Sequence, residues 1–409
     1  MSRRFTHGSC ILVLNCGSSS IKFALFDSDQ SPLPRQAMWS GKVEDILGQQ
    51  PLFSASDGQA VPLALSAKRP YLSALEIIIQ RAADFLGGRG LAAVAHRVVH
   101  GGSKYFAPVL MDAHILGDLR SYIPLAPLHQ PFALEAIESL IETQPGLPQV
   151  ACFDTGFHHG MPQIEQMLPL PYEAWEQGMR RYGFHGLSYE YLAIALAERY
   201  GDQARGRIIA AHLGSGASLC AMRDLKTVTT TMGFSALDGL MMGTRCGALD
   251  PGAVIYLMQI KKLSLEQVGA MLYHQSGLLG ISGVSSDPRE LLQREDADPR
   301  CRMALDMYVA RIVREIGALA AVLGGLDMLV FTAGIGEHNA AIRQRVCQAL
   351  TFLGLEMDAA ANSAHTASIS TPASRVRIVI EPTNEEWVAA LHAAAVLEAH
   401  PDAHQTVSS

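Results

Sequence analysis

The sequence predicts an α/β protein made of two related halves, and three observations lead there. Short β-branched and aliphatic runs alternate with longer helical patterns along the whole chain. One strand–turn–strand design occurs twice, at residues 11–26 and 208–222; superposing Gly17 on Gly214 also superposes Asn15 on His212 and Ser18 on Ser215. At 409 residues the chain exceeds one ordinary core, so two domains are expected.

Residues 11–14 form the first expected strand. Asn15-Cys16-Gly17-Ser18-Ser19-Ser20 is a tight polar turn, and residues 21–26 return as a second strand with Lys22 near its start. Residues 31–70, rich in Pro, Gly and Ser, read as hairpins and loops. Strand-like runs follow at 92–99, ending in His100-Gly101-Gly102, and at 150–153, ending at Asp154. A helix is expected over 189–200 behind a Ser188 cap. The second hairpin then runs through His212-Leu213-Gly214-Ser215-Gly216. Asp250-Pro251 opens a helix over 252–261, Asp supplying the N-cap acceptor and Pro a preset φ. Residues 302–323 are helical in composition, 328–332 form a strand, Ala333-Gly334-Ile335-Gly336 a glycine loop, and 339–350 a helix. A strand at 376–380 precedes Pro382-Thr383-Asn384-Glu385-Glu386, a last helix covers 387–399, and the polar tail beyond it is expected to fray. Two related lobes would leave a cleft between them, a usual place for a ligand.

Composition narrows the function. The chain is 49% hydrophobic and 17% charged, ordinary for a globular protein. A formal charge of -7 gives no basic field to draw nucleic acid or an anionic membrane. Anionic substrates must therefore be held by local positive groups. Seven scattered cysteines form no C-x-x-C pair and no zinc spacing, which fits a reducing cytosol. The basic start at residues 1–7 is followed by an apolar run too short for a signal-peptide core, and no stretch reaches the length of a membrane span. The expectation is a cytoplasmic protein.

The chemistry lies in glycine turns and isolated cations. In Asn15-x-Gly17-Ser18-Ser19-Ser20-x-Lys22, glycine lets backbone approach a phosphate while amides, hydroxyls and Lys donate. It is not a Walker A loop, whose glycine turn opens a helix. Residues 212–216 and 334–337 are two further glycine turns. Each alone would be an ordinary turn; three together point to a nucleotide. Arg97 stands beside His100-Gly101-Gly102, and Arg245 within Met242-Gly243-Thr244-Arg245-Cys246-Gly247. A guanidinium fork in such apolar, glycine-rich surroundings suits a carboxylate or phosphate, the bland alternative being a buried structural ion pair. His185, in Arg181-Tyr182-Gly183-Phe184-His185-Gly186, has a similar setting.

These segments resemble the acetate kinase family, which comprises acetate, propionate and butyrate kinases. The turn at 15–22 and the segment 181–188 are similar to its two diagnostic motifs. Residues 95–102, 232–247 and 382–386 match as well, in the same order, over about residues 11–395. The resemblance implies the duplicated actin/hexokinase/Hsp70-type (ribonuclease H-like) ATPase fold, two related lobes with an interlobe cleft. It implies an N-terminal lobe of residues 1–154 plus a C-terminal helix within 386–409, and a C-terminal lobe of 155–385 that binds nucleotide and carries a homodimer interface. The implied activity is reversible transfer of the ATP γ-phosphoryl group to acetate, with Mg²⁺ (or Mn²⁺) and ATP/ADP. Asn15 and Glu385 would hold the metal, with Ser18, Ser20 and Lys22 near the phosphates. Arg97 would hold the substrate carboxylate, and Val99, Leu128, Phe184 and Ala236 would line its apolar pocket. His185 and Arg245 would stabilise the transferring phosphoryl group, while His129 and Asp154 complete the site. His212, Leu213, Gly214, Ser215 and Gly216 would contact the nucleotide, together with Asp287, Pro288, Arg289, Gly334, Ile335, Gly336, Glu337 and His338. The acceptor carboxylate is already ionised at neutral pH. No general base is needed, which leaves Asp154 an aligning role toward Arg or a metal-bound water.

Some positions depart from the family pattern. Ser215 and His338 stand where Asn is usual, Gln130 replaces Asn after Pro-Leu-His, Ala248 replaces Asp and Cys246 replaces Ser. Ala236 replaces a proline at the apolar pocket, making room for about one methylene. That discriminates by only about 1–3 kcal/mol, so use of propionate as well as acetate is expected. A non-catalytic nucleotide-binding protein of the actin or Hsp70 type would have no need of Arg97, His185 and Arg245 together. A sugar kinase would need a base and more polar surroundings. A metal hydrolase would need ligand spacing that His96, His100, His158 and His159 lack, and these four are expected at the surface or in loops.

Overall fold

The computed structural model describes residues 7–17, 19–127 and 129–400. Ser18, Leu128 and the polar tail lie outside the described residues. The chain divides into two compact units, one of Met1–Gly156 with Asn384–Ser409 and one of Phe157–Thr383.

The first unit is built on a sheet of eight strands: β1 His7–Cys16, β2 Ile21–Asp27, β3 Trp39–Glu44, β4 Leu52–Ala55, β5 Val61–Pro62, β6 Leu91–Val98, β7 Val109–Leu110 and β8 Gln149–Phe153. Their order across the sheet is β5-β4-β3-β2-β1-β6-β8-β7. β1 and β2 form the expected antiparallel hairpin, whereas β6 and β8 add in parallel on the other side. Side chains alternate along β1. Cys10, Leu12 and Leu14 pack with Val94 against the helices Pro70–Leu86 and Gln130–Thr143. Ile11 and Val13 are equally buried on the opposite face, where the helix Glu385–Ala399 lies across β1, β6 and β8. A strand covered on both faces reads as an unbroken apolar run, which is why residues 11–14 show no alternation.

The second unit has five strands: β9 Arg207–Leu213, β10 Ala217–Arg223, β11 Lys226–Thr230, β12 Met328–Thr332 and β13 Arg377–Ile380, in the order β11-β10-β9-β12-β13. Two antiparallel pairings are followed by two parallel ones. The same order and directions join β3-β2-β1-β6-β8. The repeated hairpin in the sequence is thus the visible part of a repeated sheet. The helix Gly186–Tyr200 packs Tyr189, Leu192 and Leu196 onto Ile208, Ala210, Met328 and Val330.

Two local expectations are corrected. The helix expected from 189 begins at Gly186, with His185 at its N-cap in the left-handed region (φ 59°, ψ 28°) and no side-chain cap. Ser188 is therefore inside the first turn, and its hydroxyl bonds the His212 ring instead. Residues 333–336 are not a loop before a helix but part of a short helix, Ala333–His338. The next helix, Ala340–Ala349, starts behind an Asn339 cap. Glu337 explains the first helix, because its carboxylate reaches back to accept from the Ala333 N–H at 2.8 Å. Four N-terminal amides of any helix need such partners.

Candidate active site

In the first unit the chemistry gathers at the carboxyl ends of β1, β6 and β8, where ligands of open α/β sheets bind. The period of two turns Arg97 away from Val98 and onto the face of the helix Glu385–Ala399. Asp154 follows β8 directly, and Glu385 is the first residue of that helix. Arg97 Nε and Nη2 donate to both Asp154 oxygens, at 2.9 and 2.6 Å for the two shortest contacts. Its Nη1 lies 3.0 Å from Glu385 Oε2. Burial works against the guanidinium charge, but Asp154 and Glu385 outweigh it and hold the group above its ordinary pKa. These contacts engage three of the five N–H groups, and the rest of the fork can take a carboxylate. Asn15 stands directly opposite Lys22 in the β1–β2 register. Beside Glu385, burial and then the neighbouring carboxylate push the Glu386 carboxyl up, with Lys22 and Arg97 pulling it down.

In the second unit the centre is the turn between β9 and β10. His212 and Ser218 face each other across the hairpin. The His185 and His212 rings stack, with centroids 4.1 Å apart and planes within 12°. His185 Nδ1 is 2.9 Å from Ser218 Oγ, which is 2.6 Å from the Tyr189 hydroxyl. His212 Nδ1 is 2.9 Å from Ser188 Oγ. The opposite edge of His185 faces Gly216: a Cβ there would come within 3.1 Å of His185 Nε2 and 3.6 Å of Arg245 Nη1. Glycine at 216 thus leaves backbone, imidazole and guanidinium around one point. Arg245 Nη1 donates to the Ala236 carbonyl at 3.0 Å. No ion pair to Arg245 is found among the described residues, and burial lowers its pKa. A desolvated guanidinium without a carboxylate is a receptor for an anion.

A cavity of about 370 Å³ in the same unit gathers three of the predicted nucleotide segments: Gly214 and Ser215, Asp287 to Arg289, and Gly334, Ile335 and His338. Asp287 caps the helix Pro288–Arg294 and pairs with the Arg289 side chain. Gly334 faces open space, so nothing crowds a ligand there. Glu337 points back into its own helix, and Leu213 is fully buried in β9. Val99 is half-buried just after β6, His129 precedes the helix Gln130–Thr143, and Ser20 closes the first turn by accepting from the Gly17 N–H. Phe184 and Ala236 are buried in the second unit.

The expectation for the histidines needs correction. His96, His100 and His158 are each 1% exposed or less, and only His159 is at the surface. Each buried ring has a hydrogen-bond partner on at least one nitrogen, which sequence context does not reveal. His96 Nε2 meets Gln149 Oε1 at 2.8 Å, and His100 Nδ1 accepts from the Gly102 N–H at 2.8 Å. Burial pulls all three to a pKa of about 4. Sequence reasoning also missed Ser218, Tyr189 and Glu386 beside the site, and Gly243, Ser286 and Asn339 on the cavity wall. For Ser218 a signal existed: pairing β9 with β10 around the glycine turn sets it opposite His212.

A sequence profile of the Acetokinase family matches residues 10–391. The chain belongs to the Acetokinase family. An acetate kinase of Rhodopseudomonas palustris is 47% identical over 388 residues, covering 93% of this chain and 97% of that protein. Among solved structures in the family, the acetate kinase of Porphyromonas gingivalis superposes with a TM-score of 0.84 at 36% identity, over 95% of this chain and all of that one. A propionate kinase from Francisella tularensis superposes with a TM-score of 0.85 at 36% identity, over 94% of this chain and 98% of that one. Family membership therefore covers both units and every segment described above.

Proposed function

We propose that this protein transfers the γ-phosphoryl group of ATP, reversibly, to the carboxylate of acetate, giving acetyl phosphate and ADP. The observation that carries this reading is Arg245, a partly buried guanidinium with no ion-pair partner among the described residues, converging with His185 Nε2 on the Gly216 turn. A transferring phosphoryl group spreads charge over its equatorial oxygens, and two fixed donors at one point match that need. Arg97 is the carboxylate receptor, and Asp154 is its aligning partner through the paired contacts. Since the acid arrives ionised, positioning and charge stabilisation supply the catalysis. ATP is held at the cavity formed by residues 214–215 and 287–289 with Gly334, Ile335 and His338. His212 supports His185 by stacking as well as flanking the turn.

Mg²⁺ prefers a few oxygen ligands from protein and takes the rest from phosphates and water. The residues present fit it: Glu385 and Glu386 crowd two carboxylates together, a repulsion that a cation relieves, and Asn15 offers an amide oxygen on the same sheet face. Held by these residues, the ion would supply positive charge against the phosphates of ATP. We place the protein in the cytoplasm. No helix among the described residues is long and apolar enough to cross a membrane. A homodimer is also part of the reading. The helix Pro251–Gln259 has no buried residue, and Ile255, Tyr256 and Ile260 are each about half exposed or more.

The deciding experiment is hydroxylamine trapping of acyl phosphate with ATP and Mg²⁺, offering acetate, propionate and butyrate in parallel. Activity highest with acetate supports the reading. Activity highest with propionate selects the second reading, which rests on the small Ala236 beside Arg245. ATP binding without any trapped product would leave a non-catalytic nucleotide-binding protein.

A further inference from the structure

His158 is 1% exposed and has no part in the reaction as described. Its ring is held at both nitrogens: Nε2 lies 2.9 Å from the Phe184 carbonyl oxygen and Nδ1 lies 3.2 Å from Thr227 Oγ1. A carbonyl oxygen only accepts, so the neutral ring carries its proton on Nε2, and Nδ1 accepts from the Thr227 hydroxyl. The Cys220 thiol donates in turn to Thr227 Oγ1 at 3.4 Å. The chain of bonds thus runs in one direction, from Cys220 to the Phe184 carbonyl. Burial keeps the ring neutral, its pKa pulled down to about 4.

The Phe184 carbonyl belongs to the peptide that precedes His185. His185 occupies the left-handed region at φ 59°, which is unfavourable for a non-glycine residue and persists only where its surroundings enforce it. Anchoring that peptide plane fixes the direction in which the His185 side chain leaves the backbone. The His158 ring also packs edge-on against Tyr189, with centroids 5.5 Å apart. The Tyr189 hydroxyl leads through Ser218 Oγ to His185 Nδ1. Gly183 is moulded to the same ring, since a Cβ there would come within 2.6 Å of it and φ is +74°. His158 therefore touches both supports of His185, the main chain before it and the tyrosine behind its Nδ1.

We propose that His158 is a positioning residue that holds His185 in its left-handed conformation, with Nε2 turned to the Gly216 turn and Arg245. The inference rests on the phosphoryl-transfer role given to His185. In wild-type protein carrying ¹⁵N-histidine, long-range ¹⁵N–¹H spectra should show His158 as the Nε2–H tautomer at pH 7 and still neutral at pH 5.5. An Nδ1–H tautomer, or titration near the ordinary value, overturns the proposal without any variant. His158→Asn leaves no donor at the Nε2 position, whereas His158→Gln restores an N–H there. His158→Asn should lower kcat for acyl phosphate formation by on the order of 10²-fold, the size of effect expected when a reacting group is misplaced. KM for acid and ATP should change little, and the His185 ring signals should move. His158→Gln should recover most of kcat and the wild-type His185 signals. An Asn variant with wild-type kcat and unmoved His185 signals overturns the proposal, as does a Gln variant no better than Asn. If the protein forms no acyl phosphate with any acid, the kinase reading falls and the His185 ring signals alone decide this one.

Discussion

Arg97 and Arg245 carry the same charge and are held in opposite ways. Arg97 is locked to Asp154 and Glu385, so its fork is aimed before any ligand arrives. Arg245 is partly desolvated, donates to the Ala236 carbonyl and has no ion pair among the described residues, so its charge is balanced when an anion binds. Replacing Arg245 by Ala should lower kcat by on the order of 10³–10⁵. The urea midpoint of the ligand-free protein should stay unchanged or rise, because a partly desolvated charge without an ion pair is removed. Steady-state rates and unfolding curves check both halves, and near-normal turnover would sink the clamp assignment. Asp154→Asn keeps the shape but removes the charge that orients Arg97. It should lower kcat and raise KM for acetate together, while KM for ATP holds; retention of wild-type turnover would leave Asp154 without even an aligning role. The sequence left Asp154 to align either an arginine or a metal-bound water; that the arginine is Arg97 was not legible, because the two lie 57 positions apart and the parallel pairing of β6 with β8 brings them together.

The helix Glu385–Ala399 is the element that sets the first unit's chemistry. Asn384 caps it, accepting from the Trp387 N–H at 3.1 Å and donating to the Arg35 carbonyl at 2.9 Å. Trp387 is buried, and its indole N–H donates to the Leu33 carbonyl at 3.1 Å. Glu385 is thereby fixed two residues ahead of an anchored tryptophan. Trp387→Ala should destabilise by about 3–5 kcal/mol, the range for deleting a buried aromatic. Urea unfolding would measure this, and Trp387→Phe should lose less. The residual folded enzyme should show weakened acetate binding, because Glu385 and with it Arg97 lose their seat. Strand positions such as 328–332 were legible from the sequence, since apolar β-branched runs bounded by turns have few other readings. The starts of the helices at 186 and 333 were not. At the first, a left-handed His185 replaces an ordinary cap, and at the second Glu337 caps its own first turn.

Across the whole molecule, acid should be destabilising in a defined window. His96, His100 and His158 are neutral when folded, with pKa values near 4 against about 6.5 unfolded. Between those values the unfolded chain binds more protons, so stability rises with pH and is lost as pH falls from about 6.5 toward 4. Each histidine contributes up to roughly 1.4 kcal/mol per pH unit in that window. Unfolding free energies from pH 7 to 4.5 test this, and His96→Gln should reduce the slope by one proton; a flat profile would contradict it. Assembly is a second property at this scale. Exposed apolar residues on the helix Pro251–Gln259 and at its C-cap lead to Ile255→Glu with Ile260→Glu shifting sedimentation from dimer to monomer. A wild-type protein that sediments as a monomer would end the dimer reading.

Sequence alone determined the α/β class, the repeated hairpin, two of the three glycine turns and the isolated cations on which the proposed chemistry rests. These follow from local rules: period, turn residues, and charge in apolar surroundings. The tertiary structure decided which groups share a site. It paired Arg97 with Asp154, stacked His185 on His212, and left Arg245 partly buried with no acid partner among the described residues. It also buried three histidines that local context suggested lay at the surface or in loops. Burial and pairing depend on residues far apart in the chain, and a group's charge state depends on both. No short window of sequence contains that information.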